Sequence, residues 1–184
     1  MYSERRTAQM AAFMLLRCGG QMSHLKLMKL LYLADREAVK RYGRSISEDY
    51  AVAMPHGPVL SMTLDLMSGN CDSEPGGWDA WISAKADHQV SLLTEPEIDD
   101  LDELSVSDLE VLEAVWQKFG HMDRWQIRDW THENCPEWKD PGGSSNPITN
   151  EDLYKAVGYT PEAASELLDE FKTHRKVDAV FSNL

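Results

Sequence analysis

The chain has 184 residues, enough for one domain with a real core, and its 42% hydrophobic content with six tryptophans excludes a disordered polymer. A net charge of −13 excludes the lysine- and arginine-rich footprint on which phosphate binding rests, so nucleic acid is disfavoured as a partner and a basic protein is easier to accept. No long apolar run is present, and Glu4, Arg5, Arg6 and Arg17 interrupt the stretch where a signal peptide would need a clean apolar centre, so the expectation is a cytoplasmic chain with no membrane partner.

In chain order, Ala8, Ala11, Ala12, Leu15 and Leu16 recur at helical spacing in a first helix from Ser3 to Cys18, ended by Gly19 and Gly20. A central helix follows over about 23–42, with Ser23 as N-cap and Gly43 just past its end. At 100° per residue, Leu27, Met28, Leu30, Leu31, Tyr32, Ala34, Ala38, Val39 and Tyr42 share one broad side. Lys26, Lys29, Arg36 and Lys40 form a narrow stripe opposite, read as lysine stems along the surface with their heads in water. Asp35 falls among the apolar residues, so it is expected to be a buried polar anchor fed by hydrogen-bond donors, with the segment from Tyr50 to Val59, or His56, as the nearest source.

A strand is expected over about 50–54, ended by Pro55 and the Gly57-Pro58 pair, with Pro58 opening a helix to Met67. Residues from Trp78 to Leu93 alternate as a hairpin over about 80–93, and an acidic connector follows from Thr94 to Glu103. Ser105 and Asp108 start a helix carrying Leu109, Leu112, Val115, Trp116 and Phe119. Asp123 caps another with Trp125, Ile127, Trp130 and His132, stopped by Pro136. Thr149 and Asp152 begin a short helix ended by Gly158, and Thr160-Pro161 opens a last one with Ala164, Leu167, Leu168, Phe171, Val177 and Phe181. The fold class is α+β, mainly α: a helical bundle around the central helix with a small β element.

Three of these stretches, KLMKLLYLAD, YAVAMPHGPV and LSVSDLEVLEAVWQKFGHMDRWQIRDWTHENCPEW, together resemble the Panacea domain typified by SocA-like antitoxins of bacteria and their phages, over roughly residues 8–158. In that family the position of Asp35 is often glutamine, so the carboxylate here is a departure within a polar slot. The resemblance implies an antitoxin domain over 1–158; the last helix lies outside it, and 159–184 is read as a C-terminal helical extension packed on the same domain. It implies direct binding of a cognate toxin protein, encoded by an adjacent gene, with neutralisation by sequestration or by delivery to a cytoplasmic protease as an adaptor. His56, Gly57, Pro58, Trp125, Trp130, His132 and Trp138 are the partner-binding candidates in the matching motifs.

Each of these residues also has a plainer reading. Gly57-Pro58 suits a tight corner, His56 a corner histidine, His132 a histidine at a helix C-terminus, and the tryptophans a core. Cys18, Cys71 and Cys135 are widely spaced and odd in number, which reads as free thiols. His132 and Cys135 are the one close ligand pair, so a small metal-dependent hydrolase using them with nearby carboxylates is the alternative from another class; a phage-encoded interaction protein that is no antitoxin is a further one. No phosphate loop, glycine fingerprint or nucleophile elbow is present, and the reading is of a non-enzyme without cofactor or metal.

Overall fold

The computed structural model describes residues 2–181, with side chains as far as Thr173. The protein is α+β and mainly α, and its centre is the helix α2 (His24–Tyr42). Helix α1 (Glu4–Arg17) starts at Ser3, whose hydroxyl accepts the Arg6 N–H, and buries every residue from Thr7 to Leu15. Strand β1 (Gln21–Ser23) leads into α2, which Gly43 ends in the left-handed conformation at φ 73°. Ser23 stands at the expected N-cap position, yet its hydroxyl makes no capping bond, because Ser23 is also the last residue of β1.

The antiparallel strands β2 (Ala51–Met54) and β3 (Gly57–Leu60) are joined by Pro55 and His56. Here the structure corrects the sequence reading, since Gly57-Pro58 opens a strand and not a helix. Pro55 presets the turn, and Gly57, at φ 95°, takes the left-handed position after it. Pro58 sits on the edge strand, where a missing N–H is tolerated. Helix α3 (Ser61–Ser68) then follows, its first N–H groups taken by the Asp49 carboxylate, which accepts from Met62 N at 3.0 Å and Thr63 N at 2.9 Å.

The stretch read as a hairpin begins instead as a short helix, α4 (Trp78–Trp81), whose Trp78 N–H is held at 2.7 Å by Glu4 from α1. The remainder folds back through single bridges at Ile82–Leu92 and Ala86–Gln89, turning at Asp87 and His88, both at positive φ. Strand β4 (Gln89–Ser91) pairs with β1, and not with a full partner strand at 80–85, because the Ser83 hydroxyl accepts the Ser91 N–H where a ladder carbonyl would stand. A 3-10 turn, Ile98–Asp100, crosses the acidic connector.

Helices α5 (Val106–Phe119), α6 (Arg124–Asn134) and α7 (Asn150–Val157) each start with a capping box, at Ser105/Asp108, Asp123/Gln126 and Thr149/Asp152. The two-residue strand β5 (Asn146–Pro147) adds to the free side of β2. Helix α8 (Pro161–Phe181) comes last; the side chains of Val177 and Phe181, expected on its apolar stripe, lie outside the described residues.

Helix α2 is contacted by α1, α3, α5, α6, α7, β1 and β3, which explains its burial on nearly all sides. The main core combines the inner face of α1 with α2, Trp78, Ile82, Val111, Leu112, Phe119 and Ile127. A second, smaller cluster of Val39, Leu153, Tyr154 and Ala164, with Leu167 against it, holds α7 and α8 to the C-terminal end of α2. Tyr42, expected inside, is 45% exposed, although α7 and α8 pack on this end of α2 through Val39 and Gly43.

Candidate partner-binding site

The candidate residues sit where α6 and the turn after it meet the β2–β3 hairpin over α2. Asp123 fixes the start of α6 by accepting from Trp125 N at 2.7 Å and Gln126 N at 2.9 Å, with its own N–H returned to the Gln126 side chain. Ile127 and Thr131 then face inward, fully buried, and Trp125 faces out at 45% exposure. The indole of Trp125 is flanked by two guanidinium groups, Arg124 at 4.9 Å and Arg128 at 4.8 Å from the ring centroid. Trp130 turns elsewhere, packing edge-on against Phe119 at 4.6 Å, with the Lys118 amine over both rings.

His132 and Trp138 stack face to face at 4.0 Å and 4°, and the Trp138 Nε1–H donates to Met54 O at 2.9 Å, tying the turn after α6 to the hairpin. Burial, and then the nearby Lys29 and Arg128, lower the pKa of His132 from the ordinary imidazole value. Gly57 lies directly on α6: a Cβ there would come within 2.8 Å of Thr131 Oγ1 and 3.0 Å of Lys29 Nζ, so any larger residue must displace those side chains as well as adopt a strained positive φ. The structure therefore brings Gly57, Pro58, His132 and Trp138 together in one corner, leaves His56 exposed at the hairpin tip, and puts Trp125 and Trp130 on separate sides of α6. Gly57 and Pro58 are buried and act on any partner through the shape of the corner.

Two expectations about α2 are corrected here. Lys29 is not on a solvated stripe: it is fully buried, with Nζ donating to Pro58 O at 2.7 Å, and burial brings its pKa down to about 7. Lys26 Nζ likewise reaches Gly120 O at 2.7 Å and Arg36 reaches Glu137, so of the four heads only that of Lys40 belongs to an exposed residue. Asp35 is buried, and its donors are Ile46 N at 2.9 Å, Ser47 N at 3.0 Å and the Ser47 hydroxyl, not the Tyr50–Val59 segment or His56. The loop right after Gly43 turns back and reaches the carboxylate first. Burial raises the Asp35 pKa to about 7 against the pull of those three bonds.

Sequence reasoning missed Glu137. Its side chain is buried completely and accepts from Tyr32 OH at 2.6 Å and Arg36 Nε at 2.6 Å, so two turns of α2 close over a residue that follows α6. No local pattern announces it, since the partners are 105 and 101 residues apart.

The alternative built on His132 and Cys135 finds little support in this geometry. Cys135 is buried and its thiol is pushed up to about 12, mainly by burial and then by Glu137, which is the reverse of a ligand or nucleophile. Among the described residues no group of three His, Cys, Asp or Glu side chains is placed to hold a metal ion, and no helix is long and apolar enough to cross a membrane.

A search of curated proteins and a search of solved structures each return no match to the chain. One family model matches residues 27–139, from the first turn of α2 to the residue after Trp138, and so takes in Lys29, the hairpin, α6 and Glu137. With more than half of its length matched, the chain belongs to the family described as antitoxin SocA-like, Panacea domain.

Proposed function

We propose that this protein is the antitoxin of a toxin–antitoxin pair and neutralises a cognate toxin protein, encoded next door, by binding it directly. Family membership supports an antitoxin-type role. The observation that carries the site is Trp125, an exposed indole with two guanidiniums over its ring, on a helix whose other side is locked into the core. Tryptophan and arginine are the residues that most often dominate binding energy at interfaces, and a preordered side chain loses little entropy on docking. His56, exposed at the tip of the hairpin that the Trp138 indole anchors, extends the surface.

Binding either sequesters the toxin or presents it to a cytoplasmic protease, with the antitoxin as adaptor. The acidic surface favours a basic toxin and disfavours nucleic acid.

The test is co-expression with a neighbouring toxic reading frame. Growth should be rescued, a complex should co-purify, and Trp125→Ala should weaken it at least about tenfold. Rescue without any complex overturns direct binding, and unchanged affinity on replacing His56, Trp125 and His132 together by alanine moves the interface elsewhere. Loss of rescue in a host lacking its cytoplasmic protease selects delivery over sequestration.

A further inference from the structure

Where α2, α5 and α6 meet, a groove of about 200 Å³ opens to solvent. At its base Leu33, Val115 and Phe119 are buried and Trp130 is half-buried, so Trp130 supplies most of its apolar surface and the rest of the lining is mainly polar. Its rim carries four cations, Arg36, Lys40, Arg41 and Lys118, against one carboxylate, Glu37, in a chain with thirty-one acidic residues and eighteen lysines and arginines. The rim is organised in two ways. Arg36 is fixed by Glu137 and Arg41 by Glu37, so both hold their place, whereas Lys40 and Lys118 make no ion pair among the described residues. Lys118 lies over the Phe119 and Trp130 rings, which directs its charge across the base of the groove.

We infer that this groove receives an acidic segment of the protein partner, its carboxylates pairing with Lys40 and Lys118 while one apolar side chain rests against the half-buried Trp130. The inference rests on the antitoxin reading above for the identity of that partner. The volume is below the range usual for small-molecule sites, roughly 300 to 1,000 Å³, and suits a single anchoring side chain. The charge is local and opposite to that of the whole molecule, so long-range attraction of a basic partner and local capture of its acidic segment use different parts of the surface. Every residue of the groove lies within the 27–139 segment that carries family membership. The chain's own acidic connector, in which Ile98 is 38% exposed among carboxylates, is the competing occupant from a second copy. Such a groove-to-connector contact is head-to-tail and does not close into a dimer unless the geometry is reciprocal.

The experiment uses the full chain with a fluorescein-labelled peptide of aspartates and glutamates around a central leucine and phenylalanine, and the same peptide with asparagine and glutamine in place of the acids. The acidic peptide should bind at least about tenfold more tightly than the amide one. Its affinity should fall as salt rises from about 50 to about 300 mM. Lys40→Glu with Lys118→Glu should remove about tenfold or more of that affinity while the melting temperature stays within a few degrees, since both lysines are exposed. Equal binding of the two peptides, or of the variant and the parent, overturns the inference. In the toxin complex the same double variant should weaken co-purification; an undiminished complex overturns the groove assignment and leaves the antitoxin reading standing. Peptide binding without any toxin complex in the parent protein supports the groove and overturns the antitoxin reading. A concentration-dependent oligomer that the double variant abolishes places a second copy in the groove and overturns the assignment to a toxin segment.

Discussion

Asp35 and Lys29 are buried ionisable residues on one helix, and their surroundings push them toward neutrality from opposite sides of pH 7. Asp35→Ala leaves two backbone N–H groups and the Ser47 hydroxyl without their acceptor and should cost about 1 to 3 kcal/mol. Asparagine keeps an acceptor and should cost less; urea denaturation of both variants decides, and an alanine protein as stable as the parent refutes the anchoring role. For Lys29 the folded pKa of about 7 lies below the ordinary 10.5, so the unfolded chain binds more protons between those values and stability should rise with pH across them. For Asp35 the folded value lies above the ordinary 3.8, so stability should fall as pH rises from about 4 to 7. Denaturation midpoints should therefore pass through a minimum near neutrality. Lys29→Met should flatten the alkaline side of that curve, and an unchanged slope between pH 7 and pH 10 refutes the burial of the amine as its cause. The sequence made the burial of Asp35 legible through its helical angle, but not its partners, because a loop's return path is set by tertiary contacts that no periodicity encodes.

At the scale of elements, the capping chemistry was the most legible feature. Ser3, Asp123 and Thr149, and the glycines after α2 and α7, mark helix ends where the residues alone put them. Caps supplied from a distance were not legible: Glu4 serves α4 and Asp49 serves α3 across loops. The polar stripe of α2 was misread for a reason present in the sequence. Leu33 lies only about 40° around the helix from Lys29, inside the stripe, and it is buried, so that side meets α5 and α6 and not water. The hairpin was hidden because a glycine-proline pair is equally suited to opening a helix and to following a turn. Gly57 is where the hairpin can be tested: alanine must adopt φ near 95° and push into Thr131 and Lys29, so Gly57→Ala should destabilise by about 1 to 3 kcal/mol. It should also loosen Trp138, readable as a shift of tryptophan fluorescence; a stable variant with unchanged emission would show that the corner tolerates movement.

Over the whole molecule, the fold class and the central place of α2 followed from composition and periodicity. The site did so in part. Motif residues far apart in sequence do converge, with His132, Trp138, Gly57 and Pro58 around the hairpin, because α6 crosses α2 where the hairpin leans on it. The acidic balance was legible as a number but not as a distribution. Glu4, Asp35, Asp49 and Glu137 are spent inside the fold as acceptors for helix ends, loops and an arginine, and a basic groove appears where Lys40 of α2 and Lys118 of α5 line the same depression. Such pairings depend on which helices become neighbours, and a linear pattern does not report that.

The bond from Tyr32 to Glu137 has a bearing on how the protein comes into being. Its two ends are 105 residues apart, so during synthesis at roughly 5 to 20 residues per second α2 waits about 5 to 20 s for the carboxylate that neutralises Arg36 and satisfies Tyr32. For most of that interval the central helix of the fold lacks α5 and α6 as well, and the nascent protein is open to proteases and to chaperones. A ribosome-stalled chain ending before Glu137 should be digested rapidly within α2, and one carrying the complete sequence beyond the exit tunnel should resist; equal resistance of the two would mean that α2 is sheltered without its late partners. Where an antitoxin must be replenished faster than its toxin escapes, this delay sets a lower bound on how quickly a new molecule can act.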